Sequence, residues 1–277
     1  MTERKKILYF LTLTFILSYL VEMFIVFNGG VNSFGIFMLT GLMWLPGLSS
    51  LSVRLAANDW DDIGLKLGSI NNHFLGFIIS FALSFLVFYL CSLFGIRKMA
   101  LVSDVPLQKI IAQLGIVFAI GYFSALGEEL GWRGFLTPKI YSMGIKHPTL
   151  ISGVIWASWH MPLVALGGYY ASISPIIVVT LYSLMILTLN VFMNWIRLFS
   201  GSVFVATSAH AFYNFFFQTF WFHLLFKAPG PNGDYWLHFG GDMGIFTTIA
   251  FFMILLFGKY VIKQNISVTM PVKVEGS

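Results

Sequence analysis

One cysteine in 277 residues, Cys91, leaves nothing for an intrachain disulfide and no thiolate cluster for zinc. Charge is just as scarce: Asp, Glu, Lys and Arg make up 10% of the chain, against about a quarter in soluble domains. No His-Glu-x-x-His zinc motif and no phosphate-binding Gly-x-x-x-x-Gly-Lys-Ser/Thr loop occurs. The last four residues, Val274-Glu275-Gly276-Ser277, do not form a prenylation box. These absences exclude a disulfide-stapled scaffold, a zincin and a P-loop NTPase. What remains is apolar: 58% hydrophobic residues, 18% aromatic, and a mean hydropathy of +0.84. Such a length is better read as a count of membrane spans, each needing about 20 apolar residues, than as soluble domains.

The apolar runs predict an all-α polytopic membrane helix bundle with about eight transmembrane helices. They lie near residues 7–27, 34–56 (broken by Pro46-Gly47), 74–95, 107–131, 148–167, 173–196, 202–226 and 243–262. The first follows Arg4-Lys5-Lys6 but is too long for a signal-peptide core, so it is expected to be retained. Glu22, about one turn from its end, is expected to snorkel to the interface. Residues 134–146 are expected to form an interfacial stretch, and 228–242 a Gly/Pro/Asn/Asp loop. With both termini cytoplasmic, 12 of the 16 basic residues fall on the inner side, as the positive-inside rule favours. That distribution also accounts for the net charge of +5 without a nucleic-acid partner. One integral membrane domain spanning 1–277 is expected. Its partners are expected to be membrane lipid and a peptide or protein entering from the membrane or the cytoplasm, and its location a prokaryotic plasma membrane.

Against this background the stretch Gly127-Glu128-Glu129-Leu130-Gly131-Trp132-Arg133 stands out. A charged group at membrane depth costs about 2.5–3.5 kcal/mol on insertion scales, so adjacent carboxylates need a local reason. On a helix Glu129 and Arg133 share a face and can pair. Glu128, turned about 100° away, has no basic residue at i±3 or i±4 and is available as a general base. Two further runs bring polar groups: Trp156-x-x-x-His160-x-Pro162 and His210-x-x-x-Asn214, the latter one turn apart on one face. Together they could supply water activated by Glu128 and held by His160, with His210 and Asn214 holding a developing oxyanion. Ligation of Zn²⁺ by Glu128, His160 and His210 is the alternative, and the residues alone do not choose between the two. Asn190 and Asn194 share a face of the sixth run, as packing polars or as cavity lining. His73, His147, His223 and His238 fall at edges or in loops. Cys91 is expected to be a small apolar packing residue.

Glu128-Glu129-x-x-x-Arg133, Trp156-x-x-x-His160 and His210-x-x-x-Asn214, in that order, resemble the three motifs of the CPBP family, the CAAX-protease and bacteriocin-processing (Abi) group of intramembrane endopeptidases. Arg197-Leu-Phe-Ser-Gly201-Ser202 resembles the family's Arg–Thr–Gly–Ser segment. The resemblance covers about residues 107–222, the expected protease core. It implies an eight-helix bundle whose membrane cavity opens to the cytoplasm. It implies cleavage of a CAAX-type, leader or precursor peptide, with Glu128 as base, His160 aiding it, and His210 and Asn214 as oxyanion donors. Glu129 and Arg133 would orient the site. Trp156 stands where the family usually has Phe. The resemblance leaves the cofactor unknown: a metal-free mechanism is favoured, and zinc on His160 and His210 is the other version. A non-catalytic scaffold or bacteriocin-immunity protein of the same fold is the competing reading, and a proton-coupled transporter a third.

Overall fold

In a computed structural model the described residues are 1–96, 106–167, 174–221, 244–249 and 252. All of their regular structure is helical, which satisfies most backbone groups within their own segment when water is absent. The helices are α1 (Glu3–Phe27), α2 (Ile36–Ala57), α3 (Ile70–Leu93), α4 (Leu107–Gly131), α5 (Thr137–Ser142), α6 (Pro148–Trp159), α7 (Met161–Ala165), α8 (Pro175–Ser200) and α9 (Val203–Phe215). The α1, α2, α3 and α8 helices, and α4 with its continuation to Ser142, are long and apolar enough to cross a membrane. Local signals explain several ends. Thr2 and Ser202 cap α1 and α9 through side-chain oxygens that accept from Lys5 N and Val205 N. Prolines occupy the first turns of α6, α7 and α8. Gly201 closes α8 with φ of 66°, a conformation that favours glycine.

The α4 helix lies against α2 on one side and α9 on the other, while α8 backs α6 and α9. Where α2 was expected to break, it runs straight through Pro46-Gly47. Those two residues are instead the contact seam with α4. A Cβ on Gly127 would lie 2.7 Å from Trp44 Cα, one on Gly131 2.5 Å from Pro46 Cβ, and one on Gly47 2.5 Å from the Gly127 carbonyl oxygen. Small residues here let two backbones touch, which is how membrane helices associate when no hydrophobic force separates lipid from protein.

Three other expectations are corrected. Residues 134–140 do not form a separate interfacial stretch; they continue α4 through a π-turn (Trp132–Leu136) into α5 and are buried. The fifth run is not one helix but two short ones. Pro162 has no N–H to offer the Ser158 carbonyl, and the Tyr19 hydroxyl donates to that oxygen at 2.7 Å instead. Glu22 does not snorkel; it is fully buried. The seventh run is helical from Val203 and passes into a second π-turn (Phe216–Phe220), while the 228–242 loop, His223, His238 and most of the eighth run lie outside the described residues.

At one end of the bundle the α2–α3 connection forms an ion cluster. Asp59 Oδ2 accepts from Lys6 Nζ at 2.5 Å and from Lys139 Nζ at 2.6 Å. Asp62 bonds Arg54 at 2.7 Å, and Glu3 bonds Lys6 at 2.5 Å. This ties the start of α1 and the end of α2 to α5. Burial alone would raise the Asp59 carboxyl, but hydrogen bonds from Lys139 and Lys6 outweigh it and hold the group at about 2, below its ordinary 3.8. The stabilisation is therefore complete above pH 3.8 and is lost as pH falls through about 2.

Two outcomes follow. In detergent, Gly127→Ala should unfold at lower temperature by about 1–3 kcal/mol of overpacking, whereas Gly115→Ala, whose Cβ meets nothing within 4 Å, should not. Asp59→Asn should melt below the wild type at neutral pH. That gap should close as pH drops from 3.8 towards 2. A gap that persists in acid would remove the assigned role of the carboxylate.

Candidate active site

The acidic motif lies in the last turn of α4, held by the glycine seam on one side and the π-turn on the other. Glu129 is fully buried. Its Oε1 accepts from Arg133 NH1 at 3.0 Å and from His210 Nδ1 at 2.8 Å. Arg133, also fully buried, donates from NH2 to Asn190 Oδ1 at 3.1 Å and lies over the Trp156 ring at 4.1 Å. Asn190 in turn donates to Thr149 O at 2.8 Å and Ser152 Oγ at 3.1 Å. Asn194 donates to Ser152 Oγ at 2.9 Å and accepts from Thr137 Oγ1 at 2.8 Å. The two asparagines thus anchor the motif to α6 and α8 rather than lining a cavity. These bonds meet part of the buried pair's hydrogen-bonding capacity, while Glu129 Oε2 and Arg133 Nε have no partner among the described residues.

A π-turn leaves carbonyls without their helical partners. Here they are met by side chains: Arg197 Nε donates to Arg133 O at 3.0 Å, Arg54 NH2 donates to Gly134 O, and Ser50 Oγ donates to Leu130 O at 3.1 Å. Arg54 and Ser50 were not singled out in the sequence. An arginine in the last turn of an apolar helix reads as a loop charge, and only the fold shows it pointing inward.

Glu128 faces the other way. Among the described residues it forms no ion pair, and its Oε2 accepts from Trp156 Nε1 at 2.9 Å. It lines a cavity of about 280 Å³ together with Trp156, His160, His210 and Asn214. Leu39, Leu42 and Met43 of α2 and Met185, Ile186 and Leu189 of α8 supply the apolar wall. His160 sits at the α6–α7 junction, between Trp159 at 4.6 Å and Tyr182 at 5.2 Å between ring centres. Its own Nδ1–H donates to Trp156 O at 3.0 Å, so Nε2 carries the lone pair. His210 is committed through Nδ1 to Glu129, and Asn214 follows one turn later, half-buried. The structure therefore brings Glu128, Trp156, His160, His210 and Asn214 to one cavity and places Glu129 and Arg133 directly behind it. His73 is elsewhere, bonded to Ser208 Oγ and Leu67 O at 2.7 Å each, and His147 stands at the N-terminal boundary of α6 without a side-chain cap bond. Trp156, expected as an aromatic wall, is also a hydrogen-bond donor to Glu128.

Residues 110–216 match the family model described as type II CAAX prenyl endopeptidase Rce1-like. Over that stretch, about two fifths of its length, the chain resembles the CPBP group of CAAX proteases to which its three motifs point. With five helices among the described residues long and apolar enough to cross a membrane, it is a multi-pass integral membrane protein. No curated protein matches it significantly. The matched stretch contains all seven CPBP motif residues named above. Among the described residues no three His, Cys, Asp or Glu side chains converge as a ligand set for a metal.

Arg133→Gln should cost about 3–5 kcal/mol in detergent unfolding, because it leaves Glu129 buried without its cation. Combining it with Glu129→Gln should recover a large part of that loss. Simple additivity of the two variants would show that the pair does not couple.

Proposed function

We propose that this protein is an intramembrane endopeptidase that hydrolyses a peptide bond in a membrane-associated CAAX-type, leader or precursor peptide. The carrying observation is Glu128: a buried carboxylate on a cavity wall, with no cation of its own, opposed by imidazole and amide groups from two other helices. Trp156 holds Oε2, which leaves Oε1 for a water molecule. His160, with its proton on Nδ1, offers Nε2 as an acceptor for the same water. Glu128 takes a proton from that water as the oxygen attacks the scissile carbonyl. It then returns the proton to the leaving amine nitrogen.

The developing oxyanion falls to His210 and Asn214. The Nδ1 of His210 already donates to Glu129, so it serves as an oxyanion donor only as the imidazolium, with Nε2–H directed into the cavity. Glu129 thus has a second duty beyond pairing with Arg133: it orients His210. No step passes through a metal. The complete protein is proposed to be one domain of eight spans in a prokaryotic plasma membrane, with both termini and the cavity mouth cytoplasmic. The apolar α2 and α8 walls suit a lipidated or hydrophobic segment, in keeping with the prenyl endopeptidase name of the matched family.

Glu128→Gln is the decisive variant. It should lower cleavage of prenylated CAAX or leader-type peptides in liposomes by about 100-fold or more at unchanged melting temperature. Trp156→Phe keeps the ring under Arg133 but loses the indole donor, and should cost roughly tenfold in kcat. Full activity in Glu128→Gln would end the proposal.

A further inference from the structure

The buried face of α1 repeats every fourth residue: Lys6, Phe10, Thr14, Ser18 and Glu22. Lys6 belongs to the ion cluster. Thr14, Ser18 and Glu22 are fully buried, yet none of their side-chain oxygens has a hydrogen-bond partner among the described residues. Ser49 and Ser80 share that state, but other buried hydroxyls among the described residues do not. Ser52, Ser124, Ser158, Thr180, Thr207 and Ser208 each donate to the carbonyl four residues back, the usual solution in membrane helices. Thr14 and Ser18 do not take it.

The surfaces facing this part of α1 have the same property. Phe10 packs edge-on against Trp132 at 5.7 Å, and Trp132 against Trp159 at 5.8 Å. Both indole nitrogens are buried without partners among the described residues. Tyr19 fixes the segment to α6 through Ser158 O. Trp159 in turn packs edge-on against His160 of the cavity at 4.6 Å, and Glu22 lies within electrostatic reach of Glu128. A buried donor or acceptor left unmade costs about 1–3 kcal/mol. Two hydroxyls, two indole N–H groups and a carboxyl mix donors with acceptors over the roughly 24 Å between Lys6 and Glu22, and water is the one small partner that satisfies both kinds.

We propose that Thr14, Ser18 and Glu22 hold a file of internal water along α1, leading from the ion-cluster end of the bundle to Glu128, with Glu22 as a positioning residue for the water that reacts. The proposal rests on the endopeptidase reading in one respect. Hydrolysis adds one water across each bond it cuts, so an apolar cavity within a membrane has to be resupplied at every turnover. The file delivers that water without opening the substrate side of the cavity.

Radiolytic hydroxyl labelling of the full-length protein in nanodiscs tests the file independently of activity. Trp132 is 2% exposed and lies off the cavity lining, so it should be labelled only by internal water. The volume-conserving double variant Thr14→Val/Ser18→Ala should cut that labelling by about threefold or more and lower kcat about tenfold at constant KM. Glu22→Leu should match the double variant, while Glu22→Gln, which keeps hydrogen-bonding capacity, should stay within about threefold of wild type in both readouts. An unlabelled Trp132 in the wild type, or unchanged labelling in the double variant, would overturn the file. Reduced labelling with wild-type kcat would overturn its role in supply. Labelling that behaves as expected in a protein without peptidase activity would support the file and count against the endopeptidase reading instead.

Discussion

The arrangement depends on a fully buried ion pair, Glu129 with Arg133. Taking two charges out of water is costly, and the bonds that offset that cost recruit most of the surrounding elements, although Glu129 Oε2 and Arg133 Nε have no partner among the described residues. Asn190 of α8 takes one guanidinium nitrogen, Trp156 of α6 takes the cation's face, and His210 of α9 shares the carboxylate. Four helices are thereby drawn to one point. The cavity beside that point is then defined by what those helices have left over: Glu128, His160, Asn214 and the far edge of His210.

Irregular backbone concentrates at the same place. The π-turn after α4 and the break between α6 and α7 each release carbonyl groups, and each is repaired by a side chain from a distant element. Arg54, Arg197 and Ser50 serve the first, Tyr19 the second. His160 sits in its break and caps the carbonyl of Trp156 with its own ring, which also selects its tautomer. Backbone repair and chemistry are therefore coupled: the hydrogen bond that closes the helix end also leaves Nε2 free to face water.

Much of this was legible in the chain. Residue types and spacing marked Glu128, Glu129, Arg133, His160, His210 and Asn214, because ionisable and amide groups in long apolar runs have few innocent explanations. The pairing of Glu129 with Arg133 follows from helical periodicity, and the helix ending in the motif was predicted to within its own bounds. Other features were not legible because they arise only when helices meet. Nothing local tells that Glu22 points inward or that Arg54 turns towards a π-turn eighty residues later. Pro46-Gly47 reads as a break, and only the glycines of α4 reveal it as a contact. Trp156 reads as a wall, and its donor role needs Glu128 opposite.

The seam between α2 and α4 has a mechanical consequence. Gly127 and Gly131 bracket the two glutamates, and there the two helices meet through atoms with no rotatable bonds to yield. Such a contact transmits displacement without absorbing it. The α2 wall of the cavity and the Glu128 carboxylate therefore move as one strut, with a fixed spacing between them. In the proposed reaction, room for a polypeptide comes from the α8 wall, whose Met185, Ile186 and Leu189 are not tied to α4 by such a seam.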